Sequence, residues 1–103
     1  MLVHASSFGQ GRIVPFEDYS KCNVGFQYLH GDTLFTAKFE NLKEIHLENH
    51  SGQTWTLSEN DAFGLLNSKG NWLIACKYQY LEKIDRKNLF MVRLNGKMGI
   101  VSS

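Results

Sequence analysis

Apolar and polar side chains alternate along much of this chain. In LKEIHLE (42–48), Leu42, Ile45 and Leu47 are apolar, while Glu44, His46 and Glu48 fall on the other face of a period-2 strand. QTWTLS (53–58) continues the pattern, with Trp55 and Leu57 expected inward and Thr54, Thr56 and Ser58 outward. Its threonine and tryptophan content favours strand over helix. RIVPF (12–16) also reads as a strand, and Pro15 places it at a sheet edge or a bulge, since proline has no N–H for a ladder. VGFQYL (24–29), TLFTAKF (33–39), AFGLLN (62–67), NWLIACKYQYL (71–81) and LFMVRL (89–94) complete the strands, separated by polar turns. Asn95-Gly96, between LFMVRL and KMGIVS, fits the two positive-φ positions of a type I′ turn and predicts a β-hairpin. No useful length of helical periodicity is present. The pattern predicts an all-β, antiparallel chain of nine or ten short strands.

These strands recur. Residues 25–45 align without a gap to 64–84 at an offset of 39, and six of the 21 paired positions are identical, Gly25/Gly64, Leu34/Leu73 and Ile45/Ile84 among them. A second match pairs WTLSENDAFGLL with the C-terminal hairpin at an offset of 35, aligning Trp55/Phe90, Leu57/Val92, Asn60/Asn95 and Gly64/Gly99. The difference of four residues lies between Ile45 and Trp55, so the first copy has the longer hairpin, around 48–53. A repeat at fixed period is a statement about architecture. It predicts one domain over 1–103: a lead-in and edge strand (1–23), repeat one with its four-residue insertion (24–62), and repeat two with a terminal strand (63–103). The expected core is Leu34, Phe35, Ile45, Leu47, Trp55, Leu57, Leu65, Trp72, Leu73, Ile74, Leu81, Ile84, Phe90 and Val92. Open stacks need about three units to be stable, so two copies suggest a sheet curled into a barrel or a homodimer formed through an edge strand.

GLLNSKGNWLIACKY followed by LFMVRLNGKMGIV resembles the bacterial WG-repeat proteins. Their unit runs as an aromatic-Gly pair with two apolar residues, a Gly turn, a Trp, an apolar pair, Pro and Lys-Tyr. It closes with an apolar strand, an Asn-Gly-Lys turn and the next aromatic-Gly. Gly64, Leu65, Gly70, Trp72, Ile74, Lys77 and Tyr78 fall on that pattern, as do Val92, Asn95, Gly96, Lys97 and Gly99. The likeness covers roughly 24–102 and is stronger in the second repeat. It departs where Val24, Phe63 and Met98 replace the Trp before glycine, where Ala75 replaces the proline, and where Thr33 stands in the place of Trp72. The resemblance implies an interaction module, of a kind found in some toxin–immunity settings, and carries over no catalytic residue.

Net charge is +1, so no global field selects a partner, but the halves differ. Residues 1–68 hold four basic and eight acidic side chains, and 69–103 hold seven and two, about −4 against +5. The N-terminus lacks the charged start and apolar run of a secretory signal, and no stretch approaches the roughly 20 apolar residues of a membrane span. A cytoplasmic protein follows, with Cys22 and Cys76 expected reduced; a Cys22–Cys76 disulfide is the alternative.

Function is weighed against this background. His46, Glu48 and His50 have metal-like spacing, but the order is not HExxH and a strand cannot supply that motif's helix. The expectation is no metal and no cofactor. The inserted loop still departs from its repeat, and such loops are where contacts are grafted. Glu44, His46, Glu48 and His50 are therefore the first candidate contact group, and the basic turn with Lys83, Arg86 and Lys87 is the second. Trp55 and Trp72 are in phase with apolar neighbours and are expected in the core, while Tyr80 suits the surface. Gly25, Gly64 and Gly99 mark close backbone approach or a bulge, since no phosphate-loop spacing surrounds them. The leading reading is a small non-catalytic protein-binding module, an immunity or inhibitor protein being one form. The alternative is nucleic-acid binding through the basic C-terminal half, including Arg93 and Lys97 interleaved with Tyr78 and Tyr80.

Overall fold

The computed structural model describes residues 12–48, 52–84 and 88–103, and these form nine β-strands. They are β1 (Ile13–Asp18), β2 (Asn23–Tyr28), β3 (Thr33–Ile45), β4 (Thr54–Glu59), β5 (Ala62–Asn67), β6 (Trp72–Tyr78), β7 (Tyr80–Lys83), β8 (Leu89–Leu94) and β9 (Lys97–Ser102). Every pairing is antiparallel and joins strands adjacent in sequence, as the all-β meander reading requires. Strands β1 to β6 follow one another in one sheet and β7 to β9 in a second. Among the described residues the larger sheet stays open, with β1 and β6 at its two ends, so the curled barrel does not form.

Three hairpins carry the repeat. In β1–β2, β4–β5 and β8–β9, the paired residues Phe16/Gly25, Leu57/Gly64 and Val92/Gly99 occupy the same place. The last two hairpins close through Asn60-Asp61 and Asn95-Gly96, with φ of 53° and 66°, and of 54° and 79°. Both turns have the left-handed pair that a type I′ loop requires.

Between hairpins runs a long crossing strand. β3 pairs with β2 through its first half and with β4 through its second, and the register shifts between Glu40 and Lys43. The bend sits at Asn41, whose φ of 56° is one that asparagine tolerates better than most residues. TLFTAKF and LKEI, read as two strands, are thus one 13-residue strand. In the second copy the same element divides at Gln79: β6 pairs with β5 and β7 with β8. NWLIACKYQYL, read as one strand, is therefore two. The registers repeat at the offset of 39, since Val24/Phe39 and Phe26/Phe35 correspond to Phe63/Tyr78 and Leu65/Ile74. Three residues, 36–38 or 75–77, bulge opposite each intervening glycine.

That bulge explains Gly25 and Gly64. A Cβ at Gly64 would lie 2.7 Å from the Cys76 Cα and 2.9 Å from the Ile74 carbonyl oxygen. At Gly25 it would lie 2.6 Å from the Phe35 carbonyl oxygen. Only glycine lets the crossing strand come so near.

Two buried clusters form where successive hairpins stack. Phe26 packs with Ile13, Phe39, Trp55, Leu57 and Leu66; Leu65 packs with Leu47, Ile74, Phe90 and Val92. Phe26 and Leu65 are repeat equivalents, as are Trp55 and Phe90, so one packing arrangement occurs twice. The expected core is thus amended. Phe26, Phe39, Ile13 and Leu66 belong to it, whereas Leu34, Phe35, Ile45, Trp72, Leu73, Leu81 and Ile84 are only half-buried. Trp72 rests against Phe35 and Phe39 of the preceding copy, with ring centroids 6.0 and 5.9 Å away.

The alternation on β4 is also corrected. Thr54 and Ser58, expected outward, are as buried as Trp55 and Leu57, because β4 is covered on both faces. Their hydroxyls tolerate this by bonding to β3. Thr54 Oγ1 donates to the Ile45 carbonyl at 2.6 Å, and Ser58 Oγ donates to the Glu40 carbonyl while accepting from Asn41 Nδ2 at 2.8 Å. Paired hydroxyls of this kind avoid the penalty of an unsatisfied buried group.

Candidate functional site

The loop after β3 and the loop before β8 are repeat equivalents, because Ile45 matches Ile84 and Trp55 matches Phe90. The strand reading of 42–48 ends early: β3 stops at Ile45, and His46 to Glu48 leave the ladder. Alternation survives as burial. Leu47 turns into the cluster with Phe90 and Val92, while Glu44, His46 and Glu48 are exposed. One buried leucine thereby anchors the loop and leaves its polar side chains to solvent.

The two loops touch. Asn88 Nδ2 donates to the Glu48 carbonyl oxygen at 2.7 Å, across 40 residues of chain. The Asn88 carbonyl oxygen in turn accepts from the Ser103 amide at 3.0 Å, and the Ile84 amide donates to the Leu89 carbonyl oxygen at 2.8 Å. Asn88 thus ties the inserted loop to the end of the C-terminal sheet. On the β3 side, Gln53 Nε2 donates to Glu44 Oε1 at 3.3 Å. The described ends of the two loops, Glu48 and Asn88, are thereby brought together. Lys83 ends β7 half-buried. His50, Arg86 and Lys87 lie outside the described residues, and so do the turns at 49–51 and 85–87. Asn88 is the contributor that sequence reading did not single out. The signal was available, since equivalent loops of stacked repeats come side by side.

The surface is polar and open. Among the described residues, no three His, Cys, Asp or Glu side chains gather closely enough to hold a metal ion. A cleft of about 240 Å³ lies at the β1–β2 turn, lined by Glu17, Asp18, Tyr19, Cys22, Asn23 and Val24, and contains none of the candidate contact residues. Within it the Ser20 hydroxyl donates to Asp18 Oδ1 at 2.6 Å, and this bond holds the Asp18 carboxyl below its ordinary value. Both cysteines are free. Burial pushes the Cys76 thiol up, and its Sγ donates to the Ala62 carbonyl oxygen.

The aromatic candidates resolve in the same way. Trp55 is 2% exposed, so it is core and offers no stacking surface. Tyr80, expected at the surface, is half-buried, and its hydroxyl donates to Glu82, which raises its pKa. Arg93 and Lys97 are exposed on the β8–β9 hairpin.

Comparison with known proteins agrees with the architecture. Residues 63–97 match the family model for the WG containing repeat, which spans β5 to the β8–β9 turn. No curated protein and no solved structure matches the chain. No described helix is long and apolar enough to cross a membrane.

Proposed function

From a chain whose residues 63–97 match the family model for the WG containing repeat, we propose a small non-catalytic binding module that works by occupying a surface of another protein. The observation that carries this reading is the Asn88–Glu48 bond, which joins the described ends of two repeat-equivalent loops. Glu44, His46 and Glu48 are exposed at the first loop, and half-buried Lys83 ends the strand that leads to the second. His50, Arg86 and Lys87 extend the same two loops in sequence. Rigid β scaffolds presenting variable loops suit recognition, because the ordering cost is met on folding rather than on binding. An immunity or inhibitor protein acting by steric block in the bacterial cytoplasm is the specific form we favour.

Replacing Glu44, His46 and Glu48 together by serine is the test. These side chains are exposed and outside both clusters, so the melting temperature should move by no more than about 2–4 °C. Affinity for a partner captured from the native host should fall at least about tenfold, since loss of a few central contacts costs over 1 kcal/mol. Retained affinity at full strength would remove these loops from the interface. Capture of nucleic acid, with affinity falling steeply as salt rises, would point instead to the basic C-terminal half.

A further inference from the structure

The third hairpin lacks the cover that the first two have. β2 is overlaid along its edge by β3, and β5 by β6, but among the described residues β9 pairs only with β8. The equivalent positions make the contrast quantitative. Phe26 and Leu65 are fully buried, whereas Ile100 is 62% exposed. Met98, in the place of Val24 and Phe63, is 55% exposed, and Met91, paired with Ile100 across the hairpin, is 39% exposed. A Cβ at Gly25 or Gly64 meets backbone within 3 Å, yet at Gly99 it meets nothing within 4 Å. The hairpin therefore carries the glycine, the turn and the apolar side chains that receive a crossing strand, and no described strand is paired there.

We propose that the edge of β9 is a docking site for an extended segment of another polypeptide, which pairs antiparallel with β9 as β3 pairs with β2 and β6 with β5. The structure displays this occupant twice, and its chemistry follows from those examples. It has an apolar residue beside Ile100, where Phe35 and Ile74 sit beside Phe26 and Leu65, and it bulges over Gly99. A folded second copy does not supply it, because its own crossing strands are already committed to β2 and β5. Adding a strand to an open edge is an established mode of peptide recognition, and an unpaired apolar edge is otherwise an aggregation hazard. This site is separate from the 44–53 and 83–88 loops and stands or falls independently of them.

The test uses fluorescein-labelled peptides of the two crossing segments, residues 32–40, DTLFTAKFE, and residues 71–79, NWLIACKYQ. Binding to the full chain is followed by fluorescence anisotropy. Both should bind, and unlabelled peptide should compete. Gly99→Ala leaves the free protein's melting curve unchanged, because the added methyl enters open space. It should weaken binding at least about tenfold, since the methyl would strike the docked backbone as it would at Gly64. Ile100→Ser should also weaken binding. Failure of both peptides to bind, or binding indifferent to both substitutions, would overturn the proposal. A concentration-dependent dimer that the peptides cannot compete with would overturn it too, by giving the edge to a second copy.

Discussion

Replacing Trp55 with alanine is expected to remove about 3–5 kcal/mol of folding stability, the range for truncating a buried aromatic. Trp55 is 2% exposed and its ring centroid lies 5.0 Å from that of Phe26. It reaches from the second hairpin into the first, so the cavity would open between two repeat units and not within one. A domain of this size holds about 5–15 kcal/mol in total, and each kcal/mol lost lowers the melting temperature by roughly 4–8 °C. The variant should therefore melt at least about 12 °C lower and unfold at much lower urea. Phenylalanine occupies the equivalent position 90, so Trp55→Phe should cost about half as much or less. A urea midpoint for Trp55→Ala close to that of the parent would show that the hairpins do not depend on this contact.

Gly64→Ala is expected to cost about 2–3 kcal/mol, although it adds a single methyl group. The new carbon would sit 2.7 Å from the Cys76 Cα and 2.9 Å from the Cys76 nitrogen. These are backbone atoms in the bulge of β6, and no rotamer change can move them aside. Either the bulge shifts and strains its ladder bonds, or β6 lifts from Leu65; overpacking of this kind costs about 1–3 kcal/mol. Chemical denaturation with an unchanged m-value would isolate the effect on stability. A Gly64→Ala variant as stable as the parent would mean that the close crossing does not exist in solution.

Much of this fold was legible because its rules act locally. Asn60-Asp61 and Asn95-Gly96 show their turn type in two residues, and the glycines recur wherever a backbone must pass close by. Duplicate spacing then identified the crossing strand even though its bend was unseen. The bend was hidden because Asn41 in one copy and Gln79 in the other share no side-chain signature, and only Asn41 takes a left-handed φ. Burial on both faces was hidden as well. Alternation reveals a strand with one wet face, whereas β4 is sandwiched, and Thr54 and Ser58 hide their hydroxyls in bonds to β3. Phe26 and Phe39 escaped the expected core because their burial comes from stacking of the next hairpin, which is tertiary. For the site, the exposed group of Glu44, His46 and Glu48 was readable from polarity. Its junction with the second loop depends on one long-range bond from Asn88, and no local pattern announces such a bond.

Amide hydrogen exchange resolved by residue tests most directly whether one β unit is used repeatedly, covered twice and left open once. In a two-residue I′ hairpin the closing pair is hydrogen-bonded and the amides then alternate in direction. Phe63 and Leu65 therefore point toward β6, in line with the Asn67 amide, which donates to the Asn71 carbonyl oxygen just beyond them. By the same alternation Met98 and Ile100 point away from β8. The amides of Phe26 and Leu65 should be protected by similar factors, close to those of global unfolding, while those of Met98 and Ile100 exchange orders of magnitude faster. Unlike protection at Phe26 and Leu65, or an Ile100 amide as slow as both, would contradict the account.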